Sequence, residues 1–320
     1  MTTRKFLYIL TIIIISLIFL NSLCIRTERR TQLAMGTLVD IELTGFVWDD
    51  FDRVFKNAFE AIGGVEGMAN LYDSESELSR LNKSSQKMSS RLSEELFYMI
   101  YNSNIICNES NGAFDITVSP LAILWKSHIK NKSVPNKRDI KQALSFVGSD
   151  KLVLDQERRT VFFKKKGMSI DLGAAAKGYA VDKAVYEIKR ANFRSAMINA
   201  GGDVFCLGKR RFIFPWRVGI RDPYNKDDIY KVVNISNRAV ATSGGYEQFF
   251  LHEDKYYSHL IDPKTGYPVN NTFSSVTVIA DSCFMADAIA TAIFVGGETV
   301  KDKLEIFHPE IRVIVIEKDT

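Results

Sequence analysis

Asp287 and Thr291 lie one helical turn apart, a spacing at which their oxygens can hold a hard metal ion together. Residues four apart on a helix project from one face. A carboxylate and a hydroxyl there, joined by a backbone carbonyl from elsewhere, make an all-oxygen site that suits Mg²⁺ or Mn²⁺ rather than zinc. The competing account is a surface acid beside a hydroxyl that fills core. Glycine, small residues and acids also concentrate in four segments, residues 111–117, 171–182, 199–203 and 257–266. In the second, a strand is expected to end at Asp171 and a helix to begin after the small residues that follow. A phosphate can approach such a backbone closely, and a helix N-terminus favours its charge. Lys177, in the first helical turns, is within reach of that phosphate. The segment has neither GxxxxGK[ST] nor GxGxxG, and such a loop taken alone is more often tight packing of helix on strand than a phosphate site. His259 stands between a strand and the turn signal Asp262-Pro263. It suits proton transfer or nucleophilic attack, or a purely structural place in its strand. His128, His252 and His308 occupy polar or helix-end contexts and are expected on the surface. Tyr72 follows an apolar helix, where its ring can stack on another ring or simply pack.

The elements that must carry these residues follow from hydrophobic periodicity. Residues 33–43 alternate and predict a strand. Phe51, Val54, Phe55, Ala58, Phe59, Ile62 and Val65 recur at helical spacing, which predicts an amphipathic helix over 48–68. A polar loop over 74–90 leads to a helix over 92–107 that ends at Asn111-Gly112. A basic, exposed loop is expected over 127–138, then a short helix over 139–146 and strands at 151–154 and 161–164. The second half predicts a helix over 174–190 and strands near 195–199, 204–207, 216–220, 230–235, 256–261 and 275–280. Helices over 284–295 and 301–307 and a strand over 311–316 close the chain. Helices and strands do not alternate regularly, so the expected class is α+β rather than a doubly wound sheet. No linker-like composition interrupts residues 31–320, which form one expected catalytic unit.

The bulk properties agree. At 320 residues, 46% hydrophobic and 25% charged, the chain is an ordinary globular protein. A net charge of only +4 does not mark a nucleic-acid binder. The four cysteines fit neither a zinc spacing nor a small disulfide framework and are expected as buried thiols. Arg4 and Lys5 precede an uncharged apolar run over 6–25, and about 20 such residues suffice to cross a bilayer. Residues 1–25 therefore predict a signal peptide or membrane anchor. Cys24 stands where a lipoprotein cysteine would, but large Leu23 precedes it, which favours an unprocessed anchor over lipidation. Either route leaves the body on the extracytoplasmic face of a bacterial cytoplasmic membrane.

Taken together and in order, these blocks resemble the ApbE family of FAD:protein FMN transferases from about Leu33 to about Gly297. The matching stretches are Met35-Gly36-Thr37, Tyr72-Asp73 to Leu81-Asn82, Gly112-Ala113-Phe114-Asp115, residues 171–182, and Gly201-Gly202-Asp203. Ala241-Thr242-Ser243-Gly244, Ser258-His259-Leu260-Ile261-Asp262-Pro263 and Ala286-Asp287-Ala288 to Thr291 complete the set. The resemblance implies one domain built on duplicated β–α–β units, with FAD as donor substrate and Mg²⁺ as cofactor. The FMN half of FAD would pass to a Thr or Ser hydroxyl through a phosphoester bond, with release of AMP. Acceptors would be extracytoplasmic segments of redox proteins, such as subunits of sodium-pumping NADH:quinone reductase or Rnf-type complexes. Met35, Tyr72, Ala113, Phe114, Asp115, Asp171, Lys177 and Ile261 match positions that contact FAD. Ala174, through its carbonyl, Asp287 and Thr291 match metal ligands, and His259 matches the candidate catalytic residue. Two departures stand out: Ala290 occupies a position where some members carry a second acid, and Ala174-Ala175 replaces glycine or a polar residue. Two other activities use the same residues or fewer: an FAD pyrophosphatase with water as acceptor, and a flavin-binding lipoprotein without chemistry.

Overall fold

The structure, a computed structural model, describes residues 24–318 apart from 85–87, 130, 132, 226, 246–248, 253–254 and 271. The expected anchor therefore lies outside the described residues except at Cys24 and Ile25. Ile25 already belongs to the body, which begins there and not at Thr31: β1 (Ile25–Ala34) pairs along its whole length with β2 (Thr37–Phe46). The single strand expected over 33–43 is thus a hairpin. The chain reverses at Met35 and Gly36, both at positive φ (54° and 69°), the geometry of a tight two-residue turn whose twist matches its strands. Alternation continues across the turn, which hides it from a pattern of period two. In β2 the inward set Val39, Ile41 and Leu43 is fully buried.

The remaining elements, in chain order, begin with α1 (Phe51–Ala69), α2 (Glu77–Ser84), β3 (Ser90–Arg91) and α3 (Glu94–Glu109). Next come α4 (Ser119–Ile129), α5 (Lys137–Leu144), β4 (Leu152–Asp155), β5 (Thr160–Phe163) and α6 (Ala176–Arg190). The second half contributes β6 (Ser195–Ala200), β7 (Asp203–Leu207), β8 (Trp216–Arg221), β9 (Ile229–Ile235) and β10 (Arg238–Gly244). It ends with β11 (Phe249–His252), β12 (Lys255–Ser258), β13 (Phe273–Ala280), α7 (Cys283–Phe307) and β14 (Arg312–Glu317). Seven strands form one sheet in the order β1-β2-β6-β7-β10-β13-β14, and every neighbouring pair is antiparallel. Helices α1, α6 and α7 pack with this sheet into the main core. Its far face is covered by the β8–β9 hairpin, whose Trp216, Ile220, Val233 and Ile235 meet Val204, Val240, Ile279 and Ile316. Helices α4 and α5 share a satellite core through Leu121, Trp125 and Ile140. The result is a single domain of mixed α and β structure.

Three expectations need correction. The polar 74–90 stretch contains α2, whose buried Leu78 and Leu81 are too few to mark it in a polar background. Helix α4 runs through Ile129, into the expected 127–138 loop. The central strand β10 is absent from the sequence reading, because Arg238–Gly244 has Val240 as its one large apolar residue. The two expected C-terminal helices are borne out: α7 is two helical stretches in succession that meet at a kink at Gly297, where φ is 70° and ψ −161°. Cys107, Cys206 and Cys283 are buried, as expected, and Cys24 is half-buried. Burial pushes the Cys107 and Cys206 thiols up to about 12, so both stay protonated.

Helix α6 meets the start of α7 backbone to backbone. A Cβ on Gly178 would lie 2.3 Å from the Cys283 carbonyl oxygen and 2.8 Å from the Phe284 nitrogen. One turn further along α6, Asp182 accepts from the Cys283 and Phe284 N–H groups (2.8 and 2.9 Å). It caps the new helix together with Ser282, which accepts from the Met285 nitrogen. Burial pushes the Asp182 carboxyl up to about 6 although both amides favour its charged form. Gly178→Ala forces the two backbones apart and should destabilise the protein by about 1–3 kcal/mol. Gly64→Ala, on α1 with nothing within 4 Å of the new methyl, should stabilise it by roughly 0.5–1 kcal/mol. Urea unfolding of both variants measures the contrast, and equal stabilities would show that α6 and α7 tolerate separation.

Candidate functional site

The α6–α7 junction gathers the chemical residues. Lys177, one residue before the close contact, places its Nζ 2.8 Å from Asp203 Oδ2, and the Asp203 side chain is nearly inaccessible. Asp203 opens β7 after the Gly201-Gly202 turn, in which both φ values are positive. A Cβ on Gly201 would fall 2.6 Å from Thr37 Oγ1, so this turn rests on the β1–β2 hairpin beside Met35, itself half-buried against the main core. On α7, Asp287 Oδ2 accepts from the Gly178 nitrogen at 3.3 Å. One turn on, the Thr291 hydroxyl lies 3.0 Å from that of Ser243 on β10. Asp287 and Thr291 are 6% and 8% exposed, which overturns the account of a surface acid. Burial raises the Cys283 thiol, Asp203, Asp182 and Asp287 add to the shift, and Lys177 opposes it.

The donor set fits Mg²⁺. Asp287 and Thr291 offer oxygen only, and among the described residues no group of three or more His, Cys, Asp or Glu could hold a metal by itself. Two protein side chains leave a hard cation to complete its shell with waters and substrate phosphates. Ala174 is half-buried against the main core, in the turn that leads into α6. With an apolar side chain, it can offer such an ion only its carbonyl.

A second group of predicted residues surrounds the loop 171–176. The Asp171 nitrogen donates to the Ile116 carbonyl (2.8 Å), and its Oδ1 accepts from the Gly173 nitrogen (2.8 Å). Burial raises the Asp171 carboxyl, opposed in part by the Gly173 amide and then by nearby Lys126. The Lys126 ammonium stands 3.9 Å from the centre of the Tyr72 ring, and that ring is 68% exposed. Asp115 has both oxygens engaged. One accepts from the Thr117 nitrogen and hydroxyl (2.8 and 2.6 Å), and the other from the Ser149 nitrogen (3.1 Å). Its carboxyl, raised by burial, borders a cavity of about 320 Å³ together with Gly112, Gly148 and Lys264. Ala113 and Phe114 are buried in the main core, and a Cβ on Gly296 of α7 would come within 2.9 Å of the Ala113 methyl. Their side chains are committed to packing, which leaves their backbone for any ligand.

His259 follows β12 and is half-buried. The strap that carries it is held at both sides. A Cβ on Gly245, two residues past Ser243, would meet Phe294 at 3.4 Å and Ser258 at 3.9 Å. Beyond His259, Ile261 sits in the satellite core and the Trp125 indole donates to the Gly266 carbonyl (2.8 Å). The strap thus runs from the Ser243–Thr291 end of α7 to α4. Ile261 lies apart from the α6–α7 junction, in the satellite core. Of the other histidines, His308 is not a surface residue: its Nε2 pairs with Glu109 at 2.8 Å.

Four residues outside the predicted set contribute to this geometry. Asp203 and Lys264 belong to the glycine-rich segments and Ser243 to the Ala241-to-Gly244 block, so composition marks their neighbourhoods. Lys126 carries no such signal, because only the packing of α4 brings it to Tyr72. Asn82, within a matching block, acts structurally. Its amide exchanges two hydrogen bonds with the Ile170 backbone (2.9 and 2.8 Å) and fixes the approach to Asp171.

Comparison with known proteins adds independent findings. The model of the ApbE family matches residues 35–315. A Klebsiella pneumoniae protein named FAD:protein FMN transferase is 30% identical over 270 residues, covering 84% of this chain and 82% of its own. A Haemophilus influenzae protein of the same name is 28% identical, covering 82% and 79%. Among solved structures, the ApbE protein of Thermotoga maritima superposes with a TM-score of 0.83 at 30% identity over 91% of this chain and 94% of that one. The flavin transferase ApbE of Vibrio cholerae gives 0.82 at 26% identity over 92% and 94%.

Because the Tyr72 ring is largely exposed, its removal separates binding from folding. Tyr72→Ala should leave stability within about 0.5 kcal/mol of the parent and weaken FAD binding by about 1 kcal/mol. Fluorescence titration with FAD, beside a melting curve, measures both. Unchanged affinity would return Tyr72 to the role of a surface ring.

Proposed function

The chain belongs to the ApbE family, and from that premise we propose that it is an FAD:protein FMN transferase that carries the FMN half of FAD to a Thr or Ser hydroxyl of an acceptor protein. The observation that carries this reading is the α6–α7 junction, where a buried carboxylate–hydroxyl pair adjoins a lysine oriented by its own buried partner. A protein that only stored flavin would need neither.

The residues divide the work as follows. Lys177, fixed by Asp203, meets the donor pyrophosphate with its ammonium. Ser243 orients the Thr291 hydroxyl. Asp287, Thr291 and the Ala174 carbonyl would hold Mg²⁺ (or Mn²⁺), which when bound neutralises pyrophosphate charge and favours in-line displacement. Tyr72, with Lys126 above it, offers a face for stacking. Met35, Ile261 and the 113–115 backbone, with Asp171, shape the remainder of the FAD site. The acceptor oxygen forms its bond to the FMN phosphorus as the bond from that phosphorus to the bridging oxygen breaks. AMP leaves with the bridging oxygen, and His259 takes the hydroxyl proton. In the variant with a covalent carrier, His259 itself attacks first and the acceptor then displaces it. We further propose that residues 1–25 tether the body to the extracytoplasmic face of the cytoplasmic membrane. There it would meet the exposed segments of membrane redox proteins.

Intact-mass spectrometry of an acceptor protein incubated with the chain, FAD and Mg²⁺ tests the proposal. The expected product is acceptor carrying one FMN, with AMP in solution. Asp287→Ala should abolish the adduct, Thr291→Val should reduce it with partial rescue by excess Mg²⁺, and His259→Ala should slow it by roughly 10² or more. Free FMN without adduct would make the protein a pyrophosphatase, and intact FAD would make it a flavin carrier.

A further inference from the structure

The end of the molecule opposite the Met35 turn carries an apolar surface that the transfer reaction does not use. Phe46 closes β2, and its ring stacks on Trp48 (centroids 5.0 Å apart, planes within 4°) and on Phe212 at 5.8 Å. Val47 and Trp48 are 51% and 68% exposed, and Ile213 and Phe214, on the same turn as Phe212, are 65% and 64% exposed. Isolated exposed apolar residues are ordinary, but a contiguous aromatic and aliphatic group marks an interaction surface. The acids in the adjoining segment are already engaged. Asp49 accepts from the Phe46 nitrogen, Asp50 caps α1 and Asp52 pairs with Arg30. Lys209 and Arg211, beside the group, are exposed and form no ion pair among the described residues.

The position of this surface identifies what covers it. The Val47 nitrogen donates to the Cys24 carbonyl at 2.8 Å, so the surface adjoins the residue at which the apolar run over 6–25 meets the folded body. No spacer separates that run from β1. Aromatic side chains prefer the membrane–water interface, and cationic ones favour anionic headgroups.

We infer that Phe46, Val47, Trp48 and the 212–214 turn are a membrane seat that rests the catalytic body on the bilayer in which the N-terminal segment is held. The inference rests on the reading of that segment as an anchor. Strand β2 spans ten residues from Phe46 to Thr37, about 30 Å at the usual rise of a strand. The seat therefore holds the Met35 turn and its neighbouring site well away from the headgroups, where only acceptor hydroxyls on projecting segments can reach it.

Tryptophan fluorescence tests the seat directly in the full-length chain reconstituted into phosphatidylethanolamine–phosphatidylglycerol vesicles. Trp125 and Trp216 are buried at 2% exposure, so quenching by brominated lipids reports on Trp48. The expected result is severalfold stronger quenching by lipids brominated near the headgroup end of the acyl chain than by lipids brominated at its terminus. Trp48→Phe should lose this signal. Ile213→Glu with Phe214→Glu should lose it while the chain still floats with the vesicles and still transfers FMN to a soluble acceptor. Flotation with an unquenched Trp48 would overturn the seat and leave the anchor standing, with the surface covered by a protein partner or by the chain itself. Failure to float would overturn both.

Discussion

The absence of a side chain at Gly178 is the constraint on which the site depends. Only a bare backbone lets α6 approach the Cys283 carbonyl this closely, and that approach lets one helix serve the other. Asp182 caps α7 from α6, and the Gly178 nitrogen donates back to Asp287 on α7. Lys177, on the neighbouring residue, is thereby aimed at Asp203 on β7. The sheet supplies the remaining reference points, since β10 brings Ser243 to Thr291 and the Gly201 turn fits against Thr37. Residues separated by more than a hundred positions in sequence thus act as one group because two helices touch at a point without side chains.

That group is arranged against its own electrostatics. Burying a carboxylate is costly unless it is paired and hydrogen-bonded, and here Asp182, Asp203 and Asp287 share one region with a single lysine. Backbone amides and Lys177 offset part of the penalty, and the raised Asp182 and Asp203 carboxyls record the part that remains. A bound cation would relieve it.

Much of this is legible in the chain. The spacing of Phe51 to Val65 locates α1, and a separation of four residues is enough to place Asp287 and Thr291 on one helical face. The ordered blocks of small residues point to phosphate handling. What stays hidden has physical reasons. The Met35-Gly36 reversal preserves the alternation of its strands, so a period of two cannot see it. Strand β10 is built from small and polar residues because it lies under α7 and faces Thr291, so its signal is weak where its role is greatest. Lys126 reaches Tyr72 only through the docking of α4, and Asp115 holds its own loop with both oxygens rather than reaching outward. Local sequence reports propensity and composition. It does not report which distant backbone groups will satisfy a buried acid.

In the proposed function the α7 oxygens would form half of a metal site that the FAD pyrophosphate completes. Electron paramagnetic resonance of Mn²⁺, used in place of Mg²⁺, measures this through the metal affinity of the protein with and without FAD. The predicted result is weak binding to the protein alone, at least about tenfold tighter binding when FAD is present, a coupling of about 1.4 kcal/mol or more, and loss of that coupling in Asp287→Ala. Equal affinity in both states, or coupling that survives in Asp287→Ala, would contradict it.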